Sequence, residues 1–242
     1  MFKEIDSFFD VIIIGAGAAG MMCAIESGKR GKKVLLIDHS KKIGEKIRIS
    51  GGGRCNFTNL NTQSSKFISE NKKFMVSALN QYSQYDFIKL VESHNIKFHE
   101  KKLGQLFCDG SSKLIIDMLL EECNRADISL LKETKVKKIF KNDNIYSVKT
   151  SNSLYLSSSL VIATGGLSIP KIGATNFGYE IAKNFDLNII EPSAALVPLT
   201  FSDNILKMCK DLSGISQDSI VSCGRNLFQE GMLFTHRGLS GP

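Results

Sequence analysis

The stretch Asp10-Val-Ile-Ile-Ile-Gly15-Ala-Gly17-Ala-Ala-Gly20 decides the fold. An apolar run enters G-x-G-x-x-G directly, and Ala18 to Lys29 follows with a helix-compatible composition. The three glycines meet three different needs. Gly15 permits a tight turn off the strand, Gly17 lets backbone N–H groups approach a pyrophosphate, and Gly20 lets the new helix pack closely on the sheet. Ala18 and Ala19 open that helix, whose positive end faces the phosphates. Lys33-Val-Leu-Leu-Ile37 reads as the second strand, and Asp38 stands where an acidic residue normally holds a ribose hydroxyl. Strand, glycine turn, helix and strand in this order predict a dinucleotide-binding βαβ unit over residues 10–38.

The rest of the 242 residues suit an α/β protein with a Rossmann-like domain, built from a parallel sheet, helices and a small β-meander layer. Residues 72–95 are helix-compatible, with Phe87, Leu90 and Val91 on one face. Ser111 or Ser112 is placed to cap a helix through Leu114–Leu120. Thr134–Phe140, Ile145–Thr150 and Leu154–Leu156 read as short strands of a meander, separated by polar turns. Leu160–Ala163 is a further buried strand, and Gly178–Phe185 a helix. Beyond Pro192 the pattern turns irregular. A second domain is expected to begin there.

Composition narrows the function. Hydrophobic residues make up 43% and charged residues 23% of the chain, which is ordinary for a globular protein. Lys plus Arg exceed Asp plus Glu by 31 to 24, a net charge of +7. The lysines are dispersed in pairs without a dense aromatic-laced block, so a small-molecule substrate is expected and a nucleic-acid partner is not. The six cysteines form no C-x-x-C pair, so neither a metal site nor a disulfide framework is expected. The polar start Met1–Asp6 and the lack of a long apolar run lead to the expectation of a cytoplasmic protein without a membrane partner.

A second loop, Ser50-Gly51-Gly52-Gly53-Arg54-Cys55-Asn56-Phe-Thr58-Asn59, exposes backbone N–H groups and surrounds them with short polar side chains and one fixed cation. Thr164-Gly165-Gly166 ends an apolar strand with small residues that permit close approach. His236, beside Arg237, is a candidate for proton transfer or for holding an anionic substrate.

Together, the G-A-G-A-A-G unit, the S-G-G-G-R-C-N-F-T-N run, Ala163-Thr-Gly-Gly166 and Phe234-Thr-His-Arg-Gly-Leu-Ser-Gly-Pro242 resemble the YhiN/BaiN-type FAD-dependent oxidoreductases. The resemblance implies FAD as the tightly bound nucleotide, with domains at 1–190, binding FAD, and 191–242, the incomplete beginning of an inserted β-rich domain. The chain has no second complete G-x-G-x-x-G, so NAD(P)H is expected as a transient donor. The resemblance also implies that Gly15, Gly17 and Gly20 hold the pyrophosphate and Asp38 the adenosine ribose. Lys46, Ser50, Gly51, Gly52, Gly53, Arg54, Cys55, Asn56 and Thr58 would lie along the cofactor toward the flavin. Val136 would meet the adenine through its backbone, and Thr164, Gly165 and Gly166 would flank the cofactor. Arg54 is the candidate for stabilising negative charge on a reduced flavin.

Three functional readings follow. The first is a flavin oxidoreductase that passes a hydride or electrons from NAD(P)H or an organic donor to a small organic acceptor or oxygen. The second is a truncated or split flavoprotein that binds nucleotide without catalysing alone, with a separate chain supplying a C-terminal segment. The third, a nicotinamide-dependent dehydrogenase, lacks a recognisable proton-transfer pair.

Overall fold

The computed structural model describes residues 7–195 and 197–241, so the N-terminal stretch 1–6 read above lies outside the described residues. The chain divides into two compact units, Met1–Asn188 and Ile189–Pro242.

In the first unit, β1 (Ser7–Ile14) leads through the glycine turn into α1 (Ala18–Lys29) and β2 (Val34–Ile37), as the fingerprint predicts. A short helix α2 (Glu45–Ile49) precedes the triple-glycine loop, and β3 (Asn56–Asn59) follows it. Next come α3 (Phe74–Gln81), α4 (Gln84–Ser93), β4 (Phe98–Glu100), β5 (Gln105–Cys108) and α5 (Lys113–Arg125). The unit closes with β6 (Ser129–Leu131), β7 (Val136–Asn142), β8 (Ile145–Thr150), β9 (Leu154–Ile162) and α6 (Phe177–Asn184).

Six strands form the main sheet in the order β6-β2-β1-β9-β8-β7. β1 is parallel to both β2 and β9, with Ile14 opposite Ile37 on one side and Ile162 on the other. The chain therefore works outward from β1 through β2 to β6, then returns to the opposite side of β1. That reversal opens a crevice at the carboxyl ends of β1 and β9, where ligands of open α/β sheets bind. The unbroken apolar run of β1 has a physical reason in this arrangement. Ile13 faces a core made with α1 and α5, while Ile12 and Ile14 face a second core that includes Ile181 of α6. A strand covered on both faces reads as continuous hydrophobe.

Several local readings change. The helix-compatible run 72–95 is two helices, because Ser83 and Asp86 build a capping box between them. The Ser83 amide donates to Asp86 Oδ2 at 2.8 Å, and the Asp86 amide donates to Ser83 Oγ at 3.4 Å. Ser83→Ala is expected to destabilise the protein by about 1 kcal/mol, read as a lowered urea midpoint at unchanged slope. An unaltered midpoint would mean the box contributes nothing. At α5, the Ser112 hydroxyl donates to Arg48 O instead of capping, and Ser111 Oγ accepts from the Lys113 amide.

Leu154–Leu156 and Leu160–Ala163 are not separate strands. β9 runs through Ser157–Ser159 without a break, pairing parallel with β1 and, in its first half, antiparallel with β8. Pairing with β1 along this stretch, joined at Ser157 by β8, overrides the low strand preference of serine. The meander β7-β8-β9 is thus hydrogen-bonded into the parallel sheet rather than standing apart as a layer. A three-stranded sheet, β3-β5-β4, was not anticipated at all.

The second unit contains β10 (Leu199–Thr200), α7 (Asp203–Asp211), β11 (Ser216–Cys223), β12 (Asn226–Thr235) and β13 (Gly238–Ser240). Its strands form one antiparallel sheet in the order β10-β13-β12-β11. Among the described residues no helix is long and apolar enough to cross a membrane.

Candidate functional site: a glycine-lined dinucleotide cradle

Gly15 leaves β1 at φ 104°, a conformation that side chains rarely adopt. A Cβ there would lie 2.5 Å from Ala163 O, because the Ala163 amide donates to Ile14 O and draws the end of β9 against the turn. Gly20 is equally constrained, since its Cβ would stand 1.8 Å from Gly15 O. Gly17 differs. A Cβ at Gly17 meets nothing within 4 Å, so close packing does not account for this glycine. It is the N-cap of α1, no side chain caps the helix, and its first turn carries no acidic residue. Ala18 and Ala19 are exposed there. Uncapped N–H groups facing open space at a positive helix end form an anion site.

Asp38 is placed differently from a free ribose ligand. Its Oδ2 accepts from the Ala16 amide at 2.7 Å and its Oδ1 from the Ser40 amide at 2.8 Å. The carboxylate thereby braces the glycine turn against the end of β2. Each oxygen has two lone pairs, so capacity for a hydroxyl donor remains. Val136 begins β7 and is buried in the second core.

Lys46 projects from α2 to the loop after β9, donating to Ser168 Oγ at 2.8 Å and Gly166 O at 3.4 Å. Gly165 lies beneath it in the left-handed region, and a Cβ at Gly166 would approach the Tyr179 hydroxyl at 3.4 Å. Thr164 Oγ1 is buried and has no hydrogen-bond partner. An orphaned buried hydroxyl at the mouth of the crevice fits a polar ligand group.

The second loop is a left-handed backbone run. Gly51, Gly52 and Gly53 have φ of 58°, 65° and 87°, followed by Cys55 at 55°. Gly51 is further required because its Cβ would stand 2.6 Å from Phe107 Cε1. Ser50 Oγ donates to Ile47 O, so this hydroxyl serves the loop itself. The Asn56 amide, oriented to satisfy its neighbours, donates to Thr58 O and Leu106 O. The Arg54 side chain is exposed. Cys55 is buried, and burial pushes its thiol up, an effect that the neighbouring Ser50 side chain partly offsets. Cys108, close behind it, is pushed up to about 12, chiefly by burial.

The structure therefore brings Gly15, Gly17, Gly20, Asp38, Thr164 and Gly165 to one crevice, with Lys46 bridging to the loop after β9. His236 stands apart from this group in the chain. It occupies the exposed turn between β12 and β13 in the second unit. Among the described residues no group of His, Cys, Asp and Glu could hold a metal, and all six cysteines are free. Ser168 and Tyr179 were not anticipated as neighbours of the site, because their proximity depends on the loop path after β9.

The switch-point crevice, the bare helix end and the glycine turn define a Rossmann-type dinucleotide-binding protein. The chain belongs to the HI0933-like family: the model described as HI0933-like protein Rossmann domain matches residues 9–231. It is 47% identical over 235 residues to the ribosomal RNA dihydrouridine synthase of Escherichia coli (strain K12), covering 97% of this chain and 59% of that protein. The protein of the same name from Haemophilus influenzae (strain ATCC 51907 / DSM 11121 / KW20 / Rd) is 44% identical, with 96% and 59% covered. The 3-dehydro-bile acid delta(4,6)-reductase of Clostridium scindens is 23% identical, with 95% and 57% covered. The chain thus spans about three fifths of the length of the curated relatives it matches. In fold it is similar to an open-conformation flavocytochrome c3 fumarate reductase. That likeness has a TM-score of 0.52 at 20% identity, covering 74% of this chain and 40% of the other.

Proposed function

We propose that this chain forms the FAD-binding part of a YhiN/BaiN-type flavin reductase, and that the reaction it serves is reduction of the C5=C6 bond of uracil in ribosomal RNA. The observation that carries the cofactor reading is the open cradle at Gly17, an anion site with no internal occupant. The substrate reading is supported by the 47% identity to a protein named for that activity. A net charge of +7 suits a polyanionic substrate. This reading parts from the small-molecule substrate expected from lysine spacing alone.

When bound, FAD supplies hydride chemistry, drawing electrons from a donor for which NAD(P)H is proposed. The chain's own residues orient and bind. The amides of Ala18 to Gly20 receive the pyrophosphate. Asp38 offers its remaining lone pairs to a ribose hydroxyl, and Thr164 Oγ1 gains the partner it lacks. The left-handed Gly51–Gly53 backbone presents N–H groups toward the cofactor, with the Arg54 cation beside them to balance negative charge developed on reduction.

The test is direct. Purified protein is incubated with FAD, freed of unbound ligand, and its visible spectrum recorded. Retained flavin bands, bleached anaerobically by NAD(P)H and restored by an rRNA transcript that gains two hydrogens in mass, are the expected result. A folded protein that retains no flavin sinks the cofactor reading. Retained, reducible flavin that the transcript never reoxidises sinks the substrate reading alone.

A further inference from the structure

The small sheet β3-β5-β4 has one face packed into the core through Phe57, Phe98 and Cys108. Its other face carries Phe107, which is buried beside the glycine loop with the Lys101 ammonium over its ring. There, Asn56 lies opposite Phe107, and Phe107 lies opposite His99. Residues directly opposite one another share a face, so these three form a row across the sheet. The row begins at the glycine loop, because the Phe107 ring fills the space beside Gly51. It ends in an ionisable pair.

The His99 ring is near-parallel to Phe107, with centroids 6.4 Å apart at an angle of 21°. Its Nδ1 stands 2.5 Å from Asp109 Oδ1. Asp109 is fixed in turn by its amide, which donates to Lys97 O at 2.9 Å. An ionised carboxylate only accepts, so Nδ1 carries the proton and donates it. The ring orientation is then set, and Nε2 is left for another partner. The His99 and Asp109 side chains are 44% and 47% exposed. The thiols near the same loop have no such access, Cys55 being 4% and Cys108 0% exposed.

We propose that His99 is the catalytic acid that delivers the proton to the substrate, with Asp109 as its positioning residue. This rests on the proposed reduction of a uracil base. One carbon of the C5=C6 bond accepts a hydride from the reduced cofactor. The π-electron pair moves to the other carbon, which takes a proton from imidazolium Nε2. The products are the dihydro base, oxidised cofactor and neutral imidazole, which regains its proton from water. Without that proton the hydride addition would leave an anion on the ring.

His99→Gln is expected to slow reoxidation of the NAD(P)H-reduced protein by an rRNA transcript by about 100-fold or more. Flavin retention, thermal midpoint and the rate of reduction by NAD(P)H should match wild type. A second readout does not depend on turnover. In the 15N-histidine NMR spectrum of the FAD-loaded protein, the ring signals absent from His99→Gln should shift when transcript is added. Asp109→Asn should change the tautomer signature of those same signals and slow reoxidation less severely. A wild-type protein that reduces no transcript overturns the functional reading and this inference with it. An active wild type with an equally active His99→Gln, or with His99 signals that ignore the transcript, overturns the inference alone.

Discussion

A Gly17→Val variant is expected to fold as wild type does and to lose its flavin. Gly17 has φ −81° and ψ −172°, extended backbone open to any side chain, and a Cβ there meets nothing within 4 Å. As an N-cap without a capping side chain it contributes little that valine would remove, so the stability loss should stay near about 1 kcal/mol. The new isopropyl group would instead occupy the space in front of the Ala18 and Ala19 amides. A pyrophosphate excluded from those amides should bind about 100-fold more weakly or worse, about 3 kcal/mol. Gly20→Ala supplies the contrast. Its methyl group would stand 1.8 Å from a backbone carbonyl that cannot swing aside. The strain should exceed the about 1–3 kcal/mol typical of overpacking, and no cooperative melt should survive. Titration with FAD alongside a thermal scan reads both variants. Full flavin retention by Gly17→Val would mean that this helix end is not a phosphate site.

The second large effect lies away from the crevice. Glu122 of α5 is 5% exposed and gathers three partners from three helices' surroundings. Lys29 at the end of α1 stands 3.1 Å from Oε2, His94 after α4 puts Nε2 3.0 Å from Oε1, and Arg125 Nη1 reaches Oε1 at 2.9 Å. Removing one member of a buried charged cluster costs about 3–5 kcal/mol. Lys29 and Arg125 are half-exposed and can regain water, and His94, 7% exposed, keeps Glu121 at 3.4 Å, so Glu122→Ala should fall at the low end of that range. Chemical denaturation at neutral pH reads it, and a loss under about 1 kcal/mol would place the cluster among ordinary surface ion pairs.

The same residue predicts acid behaviour. Burial opposes the charge of Glu122, but hydrogen bonds and charge from Lys29 and His94 more than offset it and hold the carboxyl below its ordinary value. A depressed folded pKa contributes stability above the unfolded value of about 4.3. That stability is lost as pH falls through the folded value. Glu122→Gln should therefore show a flatter stability profile below about pH 4 than wild type.

What the sequence disclosed, and what it hid, follows from how local each cause is. The βαβ unit was legible because Gly15 and Gly20 are demanded by backbone geometry, and glycine is the only residue that satisfies it. The strand end at Thr164 was legible for a similar reason. The small sheet was hidden, since β3, β4 and β5 are short and their pairing joins Asn56 to Phe107 and Phe107 to His99. No periodicity marks such partners. Ser83 looked like one polar residue in a helical run, and only its reciprocal bonds with Asp86 show the break. The brace from Asp38 to the Ala16 amide was equally silent, because an acid at the end of a second strand can face backbone or ligand with the same spelling.

The order of strands has a temporal consequence. β1 finds β2 within a few turns of chain, but its other neighbour is β9, whose Ile162 pairs with Ile14. During synthesis at about 5–20 residues per second, the roughly 150 intervening residues take on the order of ten to thirty seconds to emerge. Through that interval one edge of the strand that ends in Val11–Ile14 has no partner, and the crevice that receives the cofactor lacks its second wall. The nascent chain thus cannot use the dinucleotide as an early scaffold. It must wait for β9 to be made, with chaperones the natural guardians of the open edge until then.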